Sequence, residues 1–339
     1  APTVVVYGAD HATTVDELRS GVTTARAWIA VDGLDELISA APGEPAIDAD
    51  VTLDHDAVIL YTSGTTGRPK GAVLTHGNLT FNTMNQLAHA DVLGQDTALC
   101  VSPLFHATGL GQVSLPTLFK GGCVVVLPRF DAGVVLATIA RLGIASFSAV
   151  PTMLQLLCDH GDFGGTDLRS LRYVIYGGSM VAERVAVAWQ RRGVPILQGY
   201  GMTEASPGVY LAPADGAVQR PVSVGVPHFF TDVRLRPVDG GDASAGELLV
   251  RGPSVAQGAI SGDGWLHTGD LGRFDAAGRL EIVGRAADTI VTGGENVAPT
   301  EVEAVLLEHG TVSDAAVLGR PDPEWGEAVV ALVVPRLGV

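Results

Sequence analysis

Lysine is almost missing from this sequence: Lys70 and Lys120 are its only two occurrences in 339 residues. Basic residues number 21 against 37 acidic ones, for a formal net charge of −16. Such a surface repels a phosphate backbone, which excludes nucleic acid as a general partner. An anionic ligand must be held by a local arrangement of donors. Cysteine is nearly as rare. Cys100, Cys123 and Cys158 form an odd set with no CxxC spacing, which suits neither a disulfide framework nor a zinc site. They read as small buried side chains in a reducing compartment, and a cytoplasmic location is the expectation. No apolar run reaches the roughly 18 residues of a transmembrane helix. The opening APTVVVYGADHATTVDEL lacks the basic-then-apolar order of a signal peptide and reads as a strand entered in mid-domain. Repeats and low-complexity tracts are missing too.

Apolar residues are abundant, at 47% against 17% charged, enough to bury a sizeable core. Short apolar runs alternate with helical patterns. AVILY at 57–61 reads as a buried strand, AVLT from Ala72 as a second, and THGNLTFNTMNQLAHA as a helix. Strands at 124–127, 146–150, 173–176 and 196–197 interleave with helices at 133–142, 151–159 and 181–192. Pro151 opens one helix and Gly193 closes another. This alternation predicts a largely parallel sheet covered by helices. After about residue 220 the texture becomes all-β, suggesting a small barrel packed on the α/β part. Beyond Arg285 a hairpin (TIVTGGENV), a helix (PTEVEAVLLEHG) and two strands follow, so a domain boundary is expected at 284/285.

Five motifs stand out. YTSGTTGRPKG at 61–71 packs four Ser/Thr hydroxyls, three glycines and one lysine into eleven residues. Glycines let backbone N–H groups approach a ligand, hydroxyls add donors and Lys70 adds charge, a set suited to a triphosphate. It is not a Walker A loop, because Arg68-Pro69 precede Lys70 and a β pattern follows. Gly199-Tyr200-Gly201-Met202-Thr203-Glu204 ends a strand, where α/β sheets bind ligands. Tyr200 offers an aromatic face and Glu204 a hard oxygen for magnesium. Trp265-Leu266-His267-Thr268-Gly269-Asp270 sets a carboxylate among turns, suited to ribose hydroxyls. Gly284-Arg285, with Gly293-Gly294-Glu295 beyond it, adds a cation and a flexible hairpin. Pro103-Leu104-Phe105-His106 sets a histidine among apolar neighbours. Taken singly, the last three read as a turn aspartate, a linker arginine and a core histidine.

Together and in this order, the motifs resemble the adenylate-forming superfamily of acyl-CoA synthetases, peptide-synthetase adenylation domains and luciferases. The resemblance covers essentially the whole chain and is nearest to acyl-CoA ligases. It implies a large N-terminal domain of αβαβα layers plus a small β-barrel (residues 1–284, barrel from about 220), then a partial, mobile α+β lid domain (285–339). It implies ATP-dependent activation of a carboxylic acid to an acyl-adenylate, with release of pyrophosphate. A thiol, usually coenzyme A, then displaces AMP. By the same resemblance Thr62, Ser63, Gly64, Thr65, Thr66, Gly67 and Lys70 cradle the phosphates. Gly177, Gly178 and Tyr200 bracket the adenine. Thr203 contacts a phosphate oxygen, Glu204 holds Mg²⁺, and Asp270 and Arg285 hold the ribose. His106 stands between acyl pocket and thiol tunnel, and Gly293, Gly294 and Glu295 line that tunnel.

Phe105-His106 replaces the aspartate-bearing motif of amino-acid-activating members, so a plain carboxylate is expected. The small residues Gly109, Gly177, Gly178, Ser179 and Ser206 suggest a roomy pocket for a fatty or other aliphatic acid, with an aryl acid second. The alternatives are an adenylation domain loading a carrier protein, and a nucleotide- and acyl-binding pseudoenzyme; a homodimer stays open. The family pattern also expects a segment upstream, a loop between Gly258 and Asp263, and a lysine beyond Val339. The 339 residues are therefore expected to be part of a longer ligase. Ala287 stands where the family places a charged hinge residue.

Overall fold

The computed structural model describes residues 2–41, 43, 50–62, 69–213, 223–237 and 245–336. The chain divides into two compact units, Ala1–Val51 and Thr52–Val339. In the first, strands β1 (Val4–Tyr7) and β2 (Ala27–Ala30) pair in parallel, joined through helix α1 (Ala12–Leu18) and followed by α2 (Leu34–Ala40).

The second unit opens with the hairpin β3 (Asp56–Thr62) and β4 (Lys70–Thr75), then α3 (His76–His89). There follow β5 (Thr97–Cys100), α4 (Leu115–Phe119), β6 (Cys123–Val126), α5 (Ala132–Leu142) and β7 (Ser146–Ala149). Next come α6 (Pro151–Asp159), β8 (Tyr173–Tyr176), α7 (Glu183–Arg191) and β9 (Ile196–Gly201). The local signals explain these boundaries. Thr75 accepts from the Asn78 N–H while Asn78 caps back onto Thr75, a capping box at the start of α3. Asp131 caps α5 by accepting from Val134, and Gly143 closes it in the left-handed conformation, φ 62°.

Strands β5 to β9 pair in parallel, as the alternation predicts. Their helices bury Leu136, Ile139, Leu154, Leu157 and Trp189 in one core, where Trp189 meets Phe163 edge-on at 5.1 Å. The all-β segment supplies β10 (Gly208–Leu211), β11 (Ser223–Pro227), β12 (Asp232–Pro237), β13 (Ala245–Arg251), β14 (Leu266–Phe274) and β15 (Leu280–Arg285). This segment, expected as a small barrel packed on the α/β part, continues that sheet as its antiparallel arm. Its strand order is β12-β13-β14-β15-β11-β10-β9-β8-β7-β5-β6. Beyond Arg285, β16 (Ile290–Thr292), β17 (Glu295–Val297), β18 (Val312–Asp322) and β19 (Gly326–Pro335) form a four-stranded sheet, with α8 (Pro299–Glu308) packed on β18.

Two expectations are corrected. Of the three cysteines read as buried, only Cys100 is; Cys123 is exposed and Cys158 half-buried. AVILY does not form a fully buried strand: among the described residues β3 pairs only with β4, antiparallel, in a two-stranded sheet. A lone hairpin can bury one face. Leu60 and Leu74 pack with Ala107 and Ala256, while Ile59 and Tyr61 are 55% and 71% exposed.

Helix α3 buries a polar stripe instead of an apolar one. Asn78, Asn82, Asn85, Gln86 and His89 fall on one face, and all but half-buried His89 are fully buried. Asn82 donates to Gly111 O at 2.8 Å and accepts from Gly208 N at 3.1 Å. His89 meets buried His228 edge-on at 4.7 Å. Burial, aided by His89, pushes His228 down from 6.5 to about 3.

Asn82→Ala orphans two buried backbone groups and is expected to cost about 3 kcal/mol in urea unfolding. His228 folds neutral, whereas the unfolded chain protonates it near pH 6.5. The stability tied to neutral His228 is thus fully present above that pH and is lost as pH falls toward 3. His228→Leu should flatten the decline of melting temperature between pH 6 and 4, an interval on the order of the shift itself.

Candidate active site

A cleft of about 740 Å³ opens at the carboxyl ends of the parallel strands β8 and β9. Gly178 follows β8, and Gln198 to Gly201 end β9. Asp270 and Ile282 enter from β14 and β15. Thr300 and Glu303 of α8 and Val317 to Gly319 of β18 face it from the other side.

Asp270 is the centre of the polar part. It is 5% exposed and pairs across the strands with Arg285. Its Oδ1 accepts from Arg285 Nε at 2.8 Å, and its Oδ2 from the Tyr200 hydroxyl at 2.6 Å. Its own N–H donates to Thr268 Oγ1 at 3.0 Å, and that hydroxyl donates to Leu248 O at 2.7 Å. The charge of Asp270 raises Arg285 above its ordinary value. Burial first, then the Asp270 charge, holds Tyr200 well above its ordinary value, so the phenol stays protonated and donates. Across the strands, Tyr200 lies edge-on to Tyr210 at 6.3 Å.

Glycines bring the strand ends together. A Cβ on Gly177 would sit 2.9 Å from Gly199 O, and one on Gly201 would be driven into the Pro207 carbonyl. Gly178 holds φ 96° at the cleft wall.

Of the residues singled out in the sequence, Gly178, Tyr200, Asp270 and Arg285 line this cleft, and Gly177 adjoins it. Thr203 and Glu204 form the turn after β9, half-buried, with Glu204 O accepting from Ala256 N at 2.8 Å. Strand β4 packs beside that turn, and Thr62 and Lys70 pair at the loop end of the β3–β4 hairpin, outside the cleft lining. Ser63, Gly64, Thr65, Thr66 and Gly67 lie outside the described residues. His106 is exposed, its ring tilted against Phe105 at 5.2 Å. Gly293, Gly294 and Glu295 sit on the β16–β17 hairpin, outside the cleft lining. Gln198, Thr300 and Glu303 line the cleft without a sequence signal to mark them; the strand-end position of Gln198, one residue before Gly199-Tyr200, is the one cue that was there.

Residues 2–259 match the family model described as AMP-binding enzyme, and 301–339 the AMP-binding enzyme C-terminal domain. A feruloyl-CoA synthase of Amycolatopsis is 42% identical over 99% of this chain and 69% of its own length. A long-chain-fatty-acid–CoA ligase of Mycobacterium tuberculosis is 35% identical over 98% of this chain and 68% of its own. The chain thus spans about two thirds of the length of these relatives. Among solved structures, the o-succinylbenzoate coenzyme A synthetase of Bacillus subtilis in complex with ATP and magnesium superposes with a TM-score of 0.84. It is 32% identical, over 97% of this chain and 69% of that one.

Gly201→Ala forces β9 away from the Pro207 carbonyl and is expected to cost about 3 kcal/mol. Gly258→Ala meets nothing within 4 Å. It should stay within about 0.5 kcal/mol of the parent in the same chemical-denaturation series.

Proposed function

The chain belongs to the AMP-binding enzyme family, and from that premise we propose that it is an acid–thiol ligase that makes acyl-CoA. Its substrates are ATP, a carboxylic acid and coenzyme A. The carboxylate attacks the α-phosphorus, pyrophosphate leaves, and the thiolate sulfur then attacks the acyl carbon and expels AMP. A carboxylate alone is a poor electrophile because oxide is a poor leaving group. Attaching AMP supplies a good one, and the protein contributes positioning and charge neutralisation. The observation that carries the reading is the Asp270 carboxylate, held by Tyr200 and Arg285 in a cleft at the strand ends.

In this reading Asp270 accepts both ribose hydroxyls, with Arg285 beside it. The Tyr200 ring lies on one face of the adenine and Gly177-Gly178 on the other. Thr62, Lys70 and the 63–67 segment hold the phosphates, and Thr203 meets a phosphate oxygen. His106 marks the wall between acyl and thiol sites, and the Gly293-Gly294-Glu295 hairpin lines the thiol path. Residues 1–284 make the core and 285–339 the lid.

Glu204 is the proposed Mg²⁺ ligand. Among the described residues no cluster of three or more His, Cys, Asp or Glu side chains could hold a metal. One carboxylate suits Mg²⁺, which keeps waters and takes substrate phosphates as ligands. When bound, it neutralises phosphate charge.

The acid is the finer question. Two of the small residues expected to widen an aliphatic pocket have another reason to be small. Gly109 abuts the Pro103 and Ser102 carbonyls and Gly177 the Gly199 carbonyl. These glycines serve backbone contact, so they are no measure of pocket width. The higher identity to the feruloyl-CoA synthase than to the fatty-acid ligase then favours an aryl acid, with a fatty acid second.

Acid-dependent exchange of labelled pyrophosphate into ATP, run over aryl acids and fatty acids of graded length, tests this. Aryl acids are expected to lead, with AMP release following on adding coenzyme A alone. Exchange without coenzyme A–dependent release would favour carrier-protein loading. ATP binding with no exchange for any acid would overturn the ligase reading in favour of a nucleotide-binding pseudoenzyme.

A further inference from the structure

We propose that the Tyr200 hydroxyl is a positioning group that aims the Asp270 carboxylate, and so sets how strongly the site prefers a ribose over a deoxyribose nucleotide. This rests on the reading that Asp270 receives the ribose hydroxyls. Each oxygen of a carboxylate can accept two hydrogen bonds. Tyr200 occupies one position on Oδ2 and Arg285 one on Oδ1, at 2.6 and 2.8 Å. One position on each oxygen is left for a ligand. With both partners in place the carboxylate plane is fixed by two donors, and its main chain by Thr268.

The two donors are not equivalent. Arg285 is the last residue of β15, with a side chain 61% exposed, and it enters the Ala286–Asp288 turn that leaves the large sheet. Tyr200 lies within β9, between β8 and β10 and against Tyr210. The tyrosine is the donor held within the sheet and the arginine the exposed one. Removing the phenol oxygen leaves Asp270 tethered by an exposed side chain alone. Its second oxygen then rotates away from the ribose position, and each hydroxyl contact loses strength. A phenylalanine keeps the ring face, which separates this role from contact with the base.

The test is calorimetric titration of ATP, 2′-deoxy-ATP and 3′-deoxy-ATP into the purified protein and its Tyr200→Phe variant. The preference for ATP over each deoxynucleotide is expected to shrink by about tenfold in the variant, the worth of one charged hydrogen bond. The affinity for the deoxynucleotides themselves should change less. In an Asp270→Ala background, Tyr200→Phe should leave the preference unmoved. Each preference is a ratio within one protein, so a partly unfolded preparation does not alter it. An unchanged ratio in Tyr200→Phe overturns the proposal while the ribose reading stands. A parent protein that binds all three nucleotides alike overturns the ribose reading, and the proposal with it.

Discussion

The loops of this protein depend on a stripe of amides buried along α3. Asn78 donates to Pro253 O and Val255 O, at 2.8 and 3.0 Å. Asn82 joins Gly111 to Gly208, and Asn85 accepts from Phe230 N at 2.9 Å. One helix thereby ties together the 253–255 loop, the helical segment of Gly111, the start of β10 at Gly208 and the turn at Phe230. Backbone groups in such segments must be paired when buried, and a side-chain amide has both a donor and an acceptor to offer. The stripe carries no carboxylate or lysine, and burial lowers the pKa of its one histidine, His89, as it does that of His228 packed against it. A lysine or carboxylate there would demand a counter-charge in the core.

Those fixed segments matter because the candidate site is assembled from their neighbours. Gly111 lies in the helical segment five residues after His106, and Gly208 follows the turn of Thr203 and Glu204. The Gly201–Pro207 approach leaves no room for a side chain, so the turn is pressed onto β9. Rigidity at the strand ends is what a positioning catalyst requires, because small misplacements cost rate steeply.

The sequence made some of this legible and hid the rest for physical reasons. Pro151–Asp159 and Tyr173–Tyr176 form with the bounds their patterns predict, because an opening proline and a continuous apolar run leave little choice. AVILY looks the same locally, yet its pairing partner decides whether one face or two are covered, and pairing is not written in five residues. The inward face of α3 is harder still. Asn and Gln at helical spacing describe a solvated surface as well as a buried one. In the site, the glycine-rich turns announce themselves. That the Tyr200 hydroxyl should reach Asp270 is a contact across 70 residues, and nothing local encodes it.

Charge divides the nucleotide-sized cleft in a way the net composition does not. Arg285 is the only basic side chain lining it among the described residues, against Asp270, Asp288, Glu303 and Glu327. A triphosphate would be repelled there, whereas a nucleoside brings hydroxyls and an aromatic face, which carboxylates and Tyr200 accommodate. Phosphates carried by such a nucleoside would need donors outside this lining. Lys70, one of only two lysines, starts β4 at the loop end of the hairpin, outside that lining. A chain carrying −16 has little cationic charge, and a cleft with four carboxylates and one guanidinium favours the nucleoside part of a nucleotide over its phosphates.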